Sequence, residues 1–240
     1  MAWNISPKNN QTTEIYIYDV VSDKRSTNFW TGEKGTEVTP SLFNEELKKI
    51  TTQNICIRLN SRGGDVMAAE AIRTAIREKR QEGANVTCKV DGFCGSAAVG
   101  IAAACEEISI SSSAWMMIHD PMAFTFGYYN IAECQRMLNM LTSVKDGIIN
   151  AYVAKTGKAK EELSALMEAE TWYTGEQAVE SKFADRLLFD DESGGNTATT
   201  NELVNFALFE SIMYKNMPQI LQQSLTPPPS GIENHAAAIL

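Results

Sequence analysis

The sequence predicts an α/β fold with a parallel sheet, on two observations. First, short strand-like apolar segments alternate with segments of helical periodicity, an order that requires crossover connections between parallel strands. Second, two glycine-bearing turns, at residues 61–65 and 92–96, each follow such a strand. Turns of this kind lie at the carboxyl ends of the strands, where parallel sheets usually bind ligands. We therefore expect the two turns to face one pocket.

The individual elements follow from local patterns along the chain. Residues 14–21 alternate like a strand, and residues 41–50 have the spacing of a short amphipathic helix. The repeating part then consists of strands at 54–60, 85–90 and 107–111 with helices at 66–79 and 97–104 between them. Three helices are predicted after it, at 130–155, 158–168 and 174–183. The last of these opens with TGEQ, the pattern of a capping box.

The composition is that of one main soluble domain. The 240 residues are 44% hydrophobic and 21% charged, and the net charge of -9 argues against nucleic-acid binding, which needs a basic patch. The start of the chain lacks the apolar block of a signal peptide, and no run has the length of a membrane span, so we expect a cytoplasmic protein without a membrane partner. The five cysteines form no CxxC pair and are expected to be reduced core residues.

A polar, turn-rich segment marks the predicted end of the globular domain. Residues 190–200 read DDESGGNTATT, a composition typical of a linker. Beyond it, residues 203–217 have an amphipathic pattern that Pro218 should stop, and a proline-rich end follows. We predict a domain over residues 1–190 and a C-terminal tail over residues 191–240.

One serine and one histidine are candidates for a nucleophile and its base. Ser96 lies among small residues in GFCGSAAVG and begins a helix, whose free N–H groups favour an oxyanion. A serine hydroxyl needs an imidazole to accept its proton. Of the two histidines, His235 lies in the proline-rich end, which leaves His119 at the end of an apolar strand.

Each candidate also has a structural interpretation. Ser96 could be a small residue where a helix meets a strand, and His119 a core histidine whose hydrogen bonds are satisfied. Asp65 is placed to cap the next helix. The preceding Gly63 and Gly64 expose backbone amides that can line an extended substrate or donate to an oxyanion. Neither a phosphate-loop lysine nor the spacing of a dinucleotide motif is present, so nucleotide binding is not favoured.

A third triad member would be an acid that orients the imidazole. Spacing alone does not choose among Asp120, Glu168, Glu170 and Asp185. Asp120 is the least suited, because adjacent side chains in extended structure point in opposite directions.

Four segments together resemble the Clp-type serine peptidase family. They are NSRGGD at 60–65, GFCGSAA at 92–98, MIHDP at 117–121 and TWYTGEQA at 171–178. Their order and spacing match over about residues 14–190, and within the family the chain looks most like the phage head maturation (prohead) proteases. The resemblance implies a Clp/crotonase-like spiral of repeated β-β-α units with a protruding handle helix, through which rings of protomers stack.

The resemblance also implies roles for single residues. Ser96 matches the nucleophile, His119 the general base, and the backbone amides of Gly64 and Ala97 the oxyanion hole. Glu170 matches a position where the family usually has aspartate, so the third acid departs from the pattern. No metal or organic cofactor is implied. The implied partners are peptide or protein substrates, among them phage scaffold and capsid proteins, and further copies of the chain.

Other interpretations share part of this pattern. A proteolytic subunit of a cellular Clp protease, fed by an unfoldase, would differ by apolar docking sites on its rim. A crotonase-type acyl-CoA enzyme has the same architecture and a backbone oxyanion hole but needs no Ser–His pair. A non-catalytic assembly protein would fit the unusual acid and the tail. A serine–lysine dyad is not favoured, because no lysine accompanies the Ser96 or His119 segments.

Overall fold

The structure, a computed structural model, describes residues 5–9, 11–189 and 216–218. The chain divides into two units, Met1–Ser193 and Gly194–Leu240. The fold and the candidate site both belong to the first unit. The predicted tail with its helix and His235 lie outside the described residues, apart from positions 216–218.

Strands and helices alternate through the described part of the first unit. The strands are β1 (Ile5–Asn9), β2 (Thr12–Ile17), β3 (Asn54–Ser61), β4 (Asn85–Gly95), β5 (Ile108–Ile110), β6 (Trp115–Ile118), β7 (Thr171–Thr174) and β8 (Arg186–Leu187). The helices are α1 (Pro40–Lys49), α2 (Val66–Gln81), α3 (Ala97–Ala102), α4 (Ile131–Thr156), α5 (Lys160–Glu168) and α6 (Gly175–Glu180).

The strands form one mixed sheet whose centre is parallel. Its main order is β1-β2-β3-β4-β5-β8, with parallel pairing from β2 to β8 and an antiparallel β1 at the edge. Strand β4 is shared between two neighbours: its first half pairs with β5, and Phe93–Gly95 pairs with β6. The predicted turn at 92–96 is therefore wrong for its first four residues, which continue the strand up to Ser96.

The helices begin where side chains satisfy their first amide groups. The Asp65 carboxylate accepts a hydrogen bond from the Ala68 N–H at 2.7 Å and so caps α2, as predicted. Helix α2 then buries Ile72 and Ile76 against the sheet. The predicted capping box is confirmed at α6, where the Thr174 and Gln177 side chains each accept the other's backbone N–H.

Helix α4 is packed over only part of its length. Its buried residues lie in the last third, among them Ile149 and Tyr152, whereas Ile131 is 90% exposed at its start. Cys134 is also exposed, so the prediction that all five cysteines are core residues is wrong for this one. Although α4 has 26 residues, no helix in the described part of the chain combines the length and apolar character needed to cross a membrane.

One face of the sheet carries a cluster of charged and phenolic side chains. Arg58 on β3 donates to both carboxylate oxygens of Asp91 on β4, at 2.8 and 2.5 Å, and lies 3.7 Å from the buried Glu14 carboxylate. The Tyr18 hydroxyl donates to Asp91 at 2.6 Å. Burial and this hydrogen bond raise the pKa of Tyr18 well above its usual range. Arg58 is thus the cation that compensates two acids of low exposure.

Replacing Arg58 with methionine is expected to lower the free energy of unfolding by roughly 3 kcal/mol, because Glu14 and Asp91 would lose their shared counter-charge. Chemical denaturation followed by circular dichroism measures this change. Arg186→Met is the matched control, since its ion pair with Glu107 is about half exposed and should contribute less than about 1 kcal/mol. Equal losses in the two variants would contradict the prediction.

Candidate active site

Ser96 is held at the carboxyl end of β4 in an unusual backbone conformation. Its φ of 54° lies in the left-handed region, and its N–H donates to the Met117 carbonyl of β6 at 2.8 Å. Ser96 is also the N-cap of α3, but its side chain makes no capping hydrogen bond. The hydroxyl is therefore not committed to the helix and projects from a sharp strand-to-helix turn.

The base candidate lies directly beside this hydroxyl. Because Gly95 pairs with Met117 in the parallel β4–β6 ladder, the ends of both strands reach the same edge of the sheet. His119 follows β6, and its Nε2 lies 2.8 Å from Ser96 Oγ. This distance allows the imidazole to accept the hydroxyl proton, which is the geometry that activates a serine nucleophile.

The sheet register brings Glu170 near the histidine. Strands β6 and β7 are antiparallel, and their last pair is Ile118 with Thr171. His119 follows Ile118 and Glu170 precedes Thr171, so the two residues lie at the same end of this ladder. Glu170 is 7% exposed, has a φ of 49°, and accepts a hydrogen bond from Trp172 Nε1 at 3.2 Å. Of the four acids that spacing left open, Glu170 is the one that directly adjoins β7, the strand paired with β6.

The other three acids are bound elsewhere. Lys145 on α4 lies 2.9 Å from Asp120 Oδ1 and 2.8 Å from Glu168 Oε1. Asp185 accepts from Lys155 Nζ at 2.5 Å and from the Ile108 N–H at 2.6 Å. Asp120 is thus paired with α4, and its side chain is 40% exposed.

A glycine loop between β3 and α2 lies against the Ser96 turn. The Val21 N–H donates to the Gly63 carbonyl at 2.8 Å, and the Val21 carbonyl accepts from the Asp65 N–H at 2.8 Å. A Cβ on Gly64 would lie 2.2 Å from the Val21 carbonyl oxygen, so the close approach of the loop to Val21 requires glycine at this position. The Ser61 hydroxyl donates to the Asp19 carbonyl at 2.6 Å and accepts from the Gly63 N–H at 3.1 Å, which fixes the other end of the loop.

The loop and the helix start bring backbone amides close to the Ser96 hydroxyl. A Cβ built on Gly63 would lie 2.7 Å from the Ala97 nitrogen and 3.1 Å from Ser96 Cβ. Within the described part of the chain, the N–H groups of Gly64 and Ala97 donate no hydrogen bond to another backbone group. Two such amides beside a nucleophile can stabilise an oxyanion.

Gly63→Ala is expected to lower kcat by about 10²- to 10³-fold, because its methyl group would press on the Ala97 N–H and on the Gly95 carbonyl, 2.5 Å away. Steady-state hydrolysis of a fluorogenic peptide, the activity that the resemblance implies, measures the loss. Gly83→Ala is the matched control: it has the same kind of backbone strain, with a φ of 99°, but open space around the added methyl. An equal loss in the control would assign the effect to general destabilisation.

Cys94, two residues before Ser96, is expected to be unreactive. Cys94 is fully buried, and burial raises the pKa of its thiol well above the usual range. A thiol of this kind stays protonated and does not compete as a nucleophile. Burial likewise raises the pKa of Tyr173, on β7, to about 12.

Sequence reasoning missed a cavity beside the Ser–His pair. It is lined by Ser96 and His119 and, on α2, by Val66, Ala69, Glu70 and Arg73. These four α2 positions are spaced as i, i+3, i+4 and i+7 and therefore share one helix face. That spacing was the available signal, because α2 begins directly after the glycine loop.

A hydrogen-bonded serine and histidine at the sheet edge, next to exposed backbone amides, is an arrangement that serine hydrolases use. The sequence matches the Clp protease family over residues 12–191, and the chain belongs to that family. The family is one of serine peptidases, which agrees with the chemistry that this pair allows.

The fold has a counterpart among solved structures. A point mutant of ClpP1 from Listeria monocytogenes superimposes with a TM-score of 0.59 and 18% sequence identity, over 74% of this chain and 92% of that chain. Identity at this level shows the fold, and the predicted α/β class of Clp/crotonase type with a parallel sheet is confirmed. No curated protein matches the sequence significantly.

Proposed function

We propose that the protein is a serine endopeptidase with Ser96, His119 and Glu170 as its triad, and that it processes phage scaffold and capsid proteins during head maturation. The observation that carries the catalytic part is the 2.8 Å contact between Ser96 Oγ and His119 Nε2 in a Clp protease domain. The position of Glu170 at the His119 end of the β6–β7 ladder supports the third assignment. Arg62 and Asp65, which flank the two glycines of the NSRGGD segment, fit the form of this segment in the phage branch and support that part of the proposal.

The reaction is acyl transfer in two halves. Ser96 Oγ attacks the peptide carbonyl while His119 Nε2 accepts its proton, and the amides of Gly64 and Ala97 stabilise the oxyanion. The C–N bond then breaks as His119 gives the proton to the leaving amine. Water attacks the acyl-serine by the same route and restores the hydroxyl. Glu170 keeps the imidazole in the tautomer that presents an unprotonated Nε2 to Ser96.

Assembly into rings fits the apolar surface before and along α4. Phe124, Phe126 and Tyr128 are each more than 90% exposed, and Leu138 is 57% exposed on the part of α4 that does not pack on the core. Exposed apolar groups of this density mark an interaction surface. Further copies of the chain are the proposed occupants, with the active sites enclosed between stacked rings and the protein acting in the host cytoplasm or the assembling prohead.

The peptidase proposal is tested by intact mass after exposure of the assembled protein to a serine-directed phosphonate. One adduct is expected on the parent protein and none on Ser96→Ala or His119→Ala. Ser143→Ala, whose hydroxyl only bonds a carbonyl on the preceding turn of α4, should label like the parent. A well-assembled parent without an adduct would contradict the proposal and favour an acyl-CoA enzyme or a non-catalytic assembly protein.

A cellular Clp subunit fed by an unfoldase is the second candidate, because the matched family domain is common to both. The two differ in their need for a partner. The head maturation proposal expects cleavage of the scaffold and coat proteins of the same phage without nucleotide. Proteolysis of folded substrates that occurs only when an unfoldase and ATP are added would favour the cellular subunit.

A further inference from the structure

The cavity beside the Ser–His pair has small walls and one basic corner. Its volume is about 40 Å³. Its walls include Ala69, Ala97, Gly100 and Ala151, whose short side chains leave this space open. Arg73 is the only cationic side chain among the lining residues.

Arg73 has an unused hydrogen-bond donor in this corner. Its side chain is 14% exposed, and its Nε–H is buried without an acceptor in the described part of the chain. Its Nη1 donates to Glu70 Oε1 at 2.6 Å, but Glu70 is 55% exposed on its side chain. A buried donor without a partner is unfavourable, so an acceptor that enters the cavity would be bound tightly.

Several cationic side chains lie around this corner although the chain as a whole is acidic, and Glu70 is the acid on the cavity wall. A groove adjoins the cavity and shares Arg73 and Ala151 with it. Arg77 and Arg80 line that groove on the next turns of α2. The Arg80 guanidinium already pairs with Glu106, and Arg77 lines only the groove, so Arg73 is the cation that a group inside the cavity would meet. An anionic group is therefore favoured at the inner end of the cavity.

The position of the cavity identifies which part of a substrate would enter it. In the acyl-enzyme the attacked carbonyl is bonded to Ser96 Oγ, and its oxygen lies by the Ala97 N–H. The side chain of the same residue is attached only one carbon away, so it must project into a space bordered by Ser96 and Ala97. The cavity is lined by both of these residues.

We propose that this cavity receives the side chain of the residue before the cleaved bond, and that Arg73 selects an acidic residue there. This inference rests on the proposed peptidase function. A glutamate side chain would place its carboxylate against the Arg73 guanidinium, which can bond it through Nε–H and an Nη–H together. Glu70 would remain on the solvent side, where it now shares the guanidinium.

The test uses the assembled full-length protein and fluorogenic peptides that differ only at the residue before the cleaved bond: glutamate, glutamine, leucine or lysine. We expect kcat/KM for glutamate to exceed that for leucine and for lysine by at least about tenfold, the effect of one charge-assisted contact. Arg73→Met should abolish this preference. Arg73→Gln, which gives a shorter, uncharged side chain that still carries hydrogen-bonding groups, should abolish discrimination between glutamate and glutamine even if the methionine variant fails to fold.

Arg77→Met is the matched control, because it removes the same charge from the same helix without lining the cavity. Its preference should equal that of the parent. A parent that prefers leucine, or a preference for glutamate that survives both Arg73 variants, would overturn the subsite. Failure of every peptide together with no phosphonate adduct on Ser96 would instead overturn the peptidase proposal, and the subsite with it.

Discussion

Ser96→Ala and His119→Ala are each expected to lower kcat by about 10⁶-fold, and the double variant no further, because residues that act as one unit are not additive. The physical reason is the 2.8 Å contact between Oγ and Nε2: without the imidazole the hydroxyl keeps its proton, and without the hydroxyl the imidazole has nothing to activate. Single-turnover hydrolysis of a fluorogenic peptide measures the three rates.

Folding of the serine variant can be separated from its chemistry. The Ser96 side chain makes no capping bond to α3, so its loss should leave the melting temperature nearly unchanged. Multiplicative losses in the double variant would show that the serine and the histidine act independently, which the proposed mechanism does not permit.

Glu170→Gln is expected to lower kcat by about 10²- to 10⁴-fold with little change in KM, because an uncharged amide neither stabilises the imidazolium nor fixes its tautomer. Glu170→Asp should recover much of the loss. It keeps the charge, and aspartate tolerates the positive φ of 49° at this position well. The kcat and KM of both variants are measured on one peptide.

Trp172 provides the control for this acid. Its indole N–H donates to Glu170 at 3.2 Å, and its ring stacks on Phe93 at 5.4 Å. Trp172→Phe keeps a ring for the stack but removes the donor, so kcat should fall far less than in Glu170→Gln. Full activity of the glutamine variant would exclude Glu170 from the triad.

Local sequence patterns located most of the fold. Helix α2 begins at the predicted residue because Asp65 caps it, and α6 begins at a capping box read directly from TGEQ. Both depend on neighbours within four positions. Strand β7 was missed because its four residues are stabilised by pairing with β6, more than fifty residues earlier in the chain.

The same distinction applies to the site. The motif around Ser96 and the scarcity of histidines were sufficient to select His119, and the structure brings the two together. The choice of Glu170 needed the resemblance, because the β6–β7 register that supports it is a long-range property. Arg73 was missed for a similar reason: the spacing groups it with Val66, Ala69 and Glu70 on one face of α2, but packing decides that this face borders the cavity.

Lys145 gives α4 a mechanical connection to the strands that carry the site. Its ammonium binds Asp120, the residue after His119, and Glu168, two residues before Glu170. The segments that hold the proposed base and acid are thus both linked by ion pairs to Lys145 on the long helix. A displacement of that helix is therefore expected to affect both segments at once. Because both ion pairs are partly exposed, high salt weakens this link between α4 and the two segments.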